Sequence, residues 1–199
     1  RRQQRHQHHS NHLMTQKIQG VRGDDYDGIL LRVVNIEGEH IKPADCRPVV
    51  QEFGLTWEVD RLVLERTLTF SARHREQLPG IRFAVNLFAA SLCRPKLAQE
   101  IAARLEASQI EPWQLIVEVQ ESPIFNGYSW GNRTIAQLRQ LGCRVAIDDF
   151  GTGHASYSHL KQVQVDMLKI DGSFVRNMLH SSLDYQIIES ICVISRLKR

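Results

Sequence analysis

The sequence predicts an α/β fold built from successive βα units around a parallel sheet. Three observations carry this. Short apolar runs rich in β-branched residues alternate with stretches of helical spacing. Polar residues recur where the apolar runs end. The 199 residues, 42% hydrophobic and 24% charged, suit one ordinary globular core.

The elements follow in order. Residues 1–12, with His6, His8, His9 and His12 among Arg, Gln and Ser, lack apolar periodicity and read as a flexible lead-in. Leu13–Gln19 is a weak strand candidate, Gly20–Asp27 a turn, and Ile29–Val34 an apolar strand followed by a loop centred on Gly38. Helical spacing runs from Pro43 to Phe53 and from Thr56 to about Ala72, with Val59, Leu62, Val63 and Leu64 on the apolar face. Phe83–Leu87 is a short buried strand. Pro95 sits where a helix can start, and Leu97, Ala98, Ile101, Ala102 and Leu105 form its stripe. Leu115–Val119 is the next strand, Thr134–Leu141 a helix stopped by Gly142, and Arg144–Ile147 a strand ending at Asp148 and Asp149. Tyr157–Gln162 reads as a short helical connection, Met167–Ile170 as a strand, and Ile187, Ile188, Ile191, Cys192 and Ile194 as the face of a closing helix. Six strands with helices between them are the material of an α/β barrel or an open doubly wound sheet.

Composition excludes several function classes. The formal charge of +3 is too small to imply a DNA partner, and no apolar run approaches the ~20 residues of a membrane span. Cys46, Cys93, Cys143 and Cys192 are scattered without a C-x-x-C pair, so neither a disulfide framework nor a zinc site is expected. Reduced thiols and a charged start without an apolar leader point to a cytoplasmic protein.

The chemistry lies at the strand ends. Asn86, Glu118, Asp148, Asp149 and Lys169 each follow an apolar strand. In a barrel these ends converge on one face; in an open sheet they spread along an edge. Singly, such residues usually cap a helix or a turn. Jointly they form an oxygen-rich set suited to hard divalent cations, which can activate water and neutralise a phosphoryl oxygen during attack on a phosphodiester. Gly151 and Gly153 permit a tight loop beside the acidic pair, but no dinucleotide fingerprint is present. His154 and His159 flank that loop; either could join a site, although exposed loop histidines with no partner are more often bystanders.

The run Asp148-Asp149-Phe150-Gly151-Thr152-Gly153, followed by Leu160-Lys161 and Asp166-Met167-Leu168-Lys169-Ile170-Asp171, resembles the DDFGTG…LK…D.LKID signature of EAL domains, the bacterial cyclic di-GMP phosphodiesterases. Val85-Asn86-Leu87 resembles the family's VNLS strand and Glu118-Val119-Gln120-Glu121-Ser122 its E-x-T-E-S segment. Ile29-Leu30-Leu31-Arg32, Pro43 and Glu52-Phe53-Gly54-Leu55 fit its opening. The likeness spans Leu13 to Arg199. It implies a modified TIM (β/α) barrel with Mg²⁺ or Mn²⁺ and cyclic di-GMP at the C-terminal strand ends. By that likeness Asn86, Glu118 and Asp148 are metal ligands, Asp149 serves the second metal, and Lys169 orients the catalytic water. Glu121 anchors the loop near Gly151, and Arg32 contacts a ligand phosphate.

Two departures shape the functional expectation. The family's name-giving Glu stands four residues before Arg32, where this chain has Gly28; Val50 and Gln51 replace the usual Ala-Glu pair, a milder change. The likeness also implies a seventh strand carrying another catalytic Glu, and an eighth, beyond Arg199. The expectation is therefore an incomplete barrel of about six strands, 13–199 being a partial, C-terminally truncated domain. Its two open edges call for cover by a homodimer or a partner protein, unless these 199 residues are a piece of a longer polypeptide. The function expected is a degenerate module that binds cyclic di-GMP or a protein partner with little or no hydrolysis. The alternatives are an active phosphodiesterase in which Asp25 or Asp27 replaces the missing Glu, and a scaffold that binds no nucleotide.

Overall fold

The computed structural model describes residues 11–18, 25–34, 37, 39–41, 43–77, 79–121, 129–152 and 163–197. Seven strands form one sheet: β1 (Asn11–Ile18), β2 (Tyr26–Val34), β3 (His40–Ile41), β4 (Phe83–Leu87), β5 (Leu115–Gln120), β6 (Arg144–Phe150) and β7 (Met167–Ile170). The helices are α1 (Pro43–Glu52), α2 (Thr56–Arg73), α3 (Ala89–Leu92), α4 (Leu97–Ser108), α5 (Ser129–Gln140), α6 (Gly172–Asn177) and α7 (Ser182–Leu197). The strand order is β1-β2-β4-β5-β6-β7, with β3 paired to β2, and the sheet is open among the described residues.

The alternation of β and α elements holds, with corrections at the N-terminal end. The sheet is not parallel throughout: β1 and β3 run antiparallel to β2, whereas β2, β4, β5, β6 and β7 are mutually parallel. β1 begins at Asn11, inside the segment read as a lead-in. β2 begins at Tyr26, inside the segment read as a turn, because the ladder with β1 continues to the Ile18–Tyr26 pair. The short β3 and the one-turn helices α3 and α6 carried too little periodicity to be read from sequence. Tyr157–Gln162, His154 and His159 lie outside the described residues.

Strand side chains alternate between two faces, and the burial pattern shows which is which. Ile29, Phe83, Val85, Leu87, Leu115, Val117, Val119, Val145 and Ile147 join helix residues such as Leu64, Ile101 and Leu138 in the main core. The other face carries a smaller cluster, Tyr26, Ala84, Ile116 and Ala146, with Ile18 and Met167 against it. No helix residue belongs to that second cluster, so it is the interior face. α5 ends at Gly142, whose φ of +97° lets Gly142 N donate to Arg139 O and Cys143 N to Leu138 O.

Candidate functional site

The site is a second tier on the interior face. Two residues beyond Ala84, Ile116, Ala146 and Met167 stand Asn86, Glu118, Asp148 and Lys169, and two beyond Tyr26 stands Gly28. The period of two therefore carries β4, β5, β6 and β7 from an apolar floor to a polar rim at their C-terminal ends.

Glu118 is the centre. It is 2% exposed, and both of its oxygens are engaged. Tyr26 OH donates to Oε1 at 3.2 Å; Asn86 Nδ2 and Lys169 Nζ donate to Oε2 at 3.2 and 2.8 Å. Lys169 Nζ also lies 2.8 Å from Asp148 Oδ1, so one ammonium bridges two carboxylates. Burial pushes the Glu118 carboxyl up, and Lys169 recovers only part of that shift. Burial alone would pull Lys169 down, yet Glu118 and Asp148 outweigh it and hold its ammonium above the usual range.

Asp149 takes a left-handed backbone, φ +54°, beside a register irregularity between Ile147 and Phe150 of β6. Asp is one of the few side chains that tolerate this region, and such residues concentrate at functional sites. Burial raises its carboxyl, and Asp148 and Asp171 raise it further, while Gln120 hydrogen-bonds to it. Glu121, 3% exposed at the end of β5, accepts a hydrogen bond from Gly151 N at 2.9 Å, tying β5 to the turn after β6.

The structure brings Asn86, Glu118, Asp148 and Lys169 together and places Asp149 and Glu121 beside them. Arg32 stands in β2 opposite His12, four residues past Gly28. Neither candidate replacement for the missing Glu is suitably placed. Asp27 pairs with Phe83 and shares the helix-covered face, and Asp25 precedes β2, at the end opposite the rim. Sequence reading missed Tyr26, which counting back two residues from Gly28 would have found. Gln16 stands opposite Gly28 in register, and past β7 stands Asp171, quoted in the signature run but not as a site residue. The last caps α6 through Ser173 N, and that bond holds its carboxyl low.

Among the described residues no three His, Cys, Asp or Glu side chains form a metal-ligand group. Two carboxylates, Glu118 and Asp148, do converge on Lys169, and the Asn86 amide bonds to the first of them. Oxygen donors of this kind fit a hard divalent cation such as Mg²⁺ or Mn²⁺, with fewer acidic donors than a glutamate at position 28 would give.

Fold and site together define an open, half-barrel α/β sheet whose polar site stands at the C-terminal ends of its parallel strands. The chain belongs to the EAL domain family, whose model matches residues 23–197. It is 48% identical over 197 residues to the cyclic di-GMP phosphodiesterase PdeF of Escherichia coli, covering 99% of this chain and 26% of that protein. Among solved structures it is similar to the PaMucR phosphodiesterase in complex with c-di-GMP, with a TM-score of 0.85 and 28% identity over 94% of this chain and 77% of that one. The FimX EAL domain of Pseudomonas aeruginosa bound to c-di-GMP matches with a TM-score of 0.82 and 28% identity, over 92% and 74%. The chain thus spans about a quarter of PdeF's length.

Proposed function

We propose that the chain is an EAL module that recognises cyclic di-GMP, or a protein partner, with little or no hydrolysis. One observation carries this reading: Gly28 stands on the interior face, where a side chain would point toward the rim and glycine supplies none. Asp25 and Asp27 are not placed to compensate. The similarity to two EAL structures bound to c-di-GMP supports the choice of ligand.

Asn86, Glu118 and Asp148 would hold a divalent cation, Mg²⁺ or Mn²⁺, with Asp149 near a second. Such a cation supplies Lewis-acid polarisation of a phosphoryl oxygen. The chain's own residues do the rest. Lys169 places an ammonium against the carboxylates, where it can hold a water or a phosphate oxygen, and Glu121 fixes the turn at Gly151 that borders the site. Arg32 would contact a phosphate. Losing one carboxylate from a two-metal site costs several powers of ten in rate, each ~1.4 kcal/mol of transition-state stabilisation being tenfold. The open sheet edges suit a second copy or a partner protein. The small net charge argues against DNA, no helix of the described residues is long and apolar enough to cross a membrane, and cysteines not joined in disulfides suit the cytoplasm.

Calorimetric titration with cyclic di-GMP in Ca²⁺, followed by a turnover assay in Mg²⁺, tests the reading. Binding with turnover at the metal-free background is expected; no binding sinks it. The 48% identity to a named phosphodiesterase favours a second reading, residual hydrolysis to the linear dinucleotide. Turnover clearly above the metal-free control would decide for it.

A further inference from the structure

Tyr26 belongs to the apolar floor, yet it is the one floor residue that reaches the rim. Around it, neighbouring strands contribute two minimal side chains, Ala84 and Ala146, with Ile116 between them. The tyrosine ring fills the space these alanines leave and is 6% exposed. Its hydroxyl donates to Glu118 Oε1 at 3.2 Å, on the side of the carboxylate opposite Asn86 and Lys169. Without Tyr26 these hydrogen bonds would hold the carboxylate through Oε2 alone, and the position of Oε1, hence the tilt of the carboxylate plane, would be less constrained. The hydroxyl therefore fixes the carboxylate plane, in the way that outer hydrogen bonds fix metal ligands.

We propose that Tyr26 is a positioning residue for Glu118, setting the orientation in which this carboxylate meets a divalent cation. The proposal rests on the reading of Glu118 as a cation ligand and is independent of whether the chain binds a nucleotide. A merely structural tyrosine would need Glu118 only to satisfy its own buried hydroxyl, and removing that hydroxyl would then leave cation binding unchanged.

The experiment is a Mn²⁺ titration of the full 199-residue chain without nucleotide, read by the spin-resonance signal of free Mn²⁺. Tyr26→Phe keeps the ring, and its fold is checked by near-ultraviolet circular dichroism and melting. Ile116→Val alters the same floor without touching the hydroxyl. Mn²⁺ affinity falling about tenfold or more in Tyr26→Phe, and staying within twofold in Ile116→Val, is the expected result. Unchanged affinity in a folded Tyr26→Phe overturns the proposal. Equal losses in both variants overturn it as well, since packing would then be responsible, and so does a parent chain with no saturable Mn²⁺ binding. A chain that binds Mn²⁺ but no cyclic di-GMP loses the nucleotide reading and keeps this one.

Discussion

Lys169 and Gly28 make opposite predictions at the rim. Replacing Lys169 with Met leaves Glu118 buried beside Asp148 with no cation between them. Breaking a buried pair in this way costs about 3 kcal/mol, which lowers the melting temperature by about 10 °C in a chain of this size. Part of that loss should return on acidification, as Glu118 takes up a proton, so melts at pH 7 and pH 5 check both statements. Gly28→Glu, in contrast, fits with little disturbance. An added Cβ approaches Ile18 Cδ1 to 3.0 Å, and that flexible tip needs to move only a few tenths of an ångström. The variant should stay folded and gain Mg²⁺-dependent hydrolysis of cyclic di-GMP by at least tenfold; a folded variant with no gain would show that the missing carboxylate is not what limits turnover. Most of this rim was legible in sequence, because Asn86, Glu118, Asp148 and Lys169 each end an apolar run. Tyr26 was not, since the glycine- and aspartate-rich stretch before it reads as a turn, and only pairing with β1 extends the strand to include it.

At the level of elements, the clearest joint is between α2 and the start of α3. Asp60 of α2, 2% exposed, accepts the Phe88 N–H at 2.9 Å and so ties α2 to the entry of a helix that is remote in sequence. Burial pushes its carboxyl from the usual 3.8 up to about 7, against the pull of the Phe88 N–H and the Arg47 charge. A pKa raised on folding stabilises below the unfolded value, and that contribution is lost as pH rises through about 7. The chain should therefore gain stability on acidification from pH 7 to pH 5, by about 1 kcal/mol per pH unit at most, relative to Asp60→Asn, which can still accept the N–H. Parallel denaturant titrations of both proteins check this. A second joint is the turn after β6. Gly151, at φ +102°, lies where a Cβ would come within 3.0 Å of the Phe174 ring of α6. Gly151→Ala should cost about 1–3 kcal/mol and loosen the bond to Glu121, visible as faster amide exchange at residue 151. Helix α2 was legible from its 3.6-residue period. Its bond to the start of α3 was not, because a contact across 28 residues leaves no local pattern.

Over the whole molecule, the helix-covered face carries most of the stability. Leu64, Ile101 and Leu138 are fully buried there, and Leu→Ala at position 64 or 138 should cost about 2–5 kcal/mol by denaturant unfolding. The interior face holds few apolar groups and is given over to the rim. These two faces also bear on how the chain finds its register. A one-residue slip of β5 would turn Glu118 into the aliphatic layer and bring Val117 or Val119 to the rim, exchanging a bridged carboxylate for an unpaired one. Every strand from β4 to β7 carries the same liability through Asn86, Glu118, Asp148 or Lys169. The polar rim is thus a checksum on strand pairing, satisfied only when four separate strands arrive in register, and a chain that misfolds by one residue fails it at the rim itself.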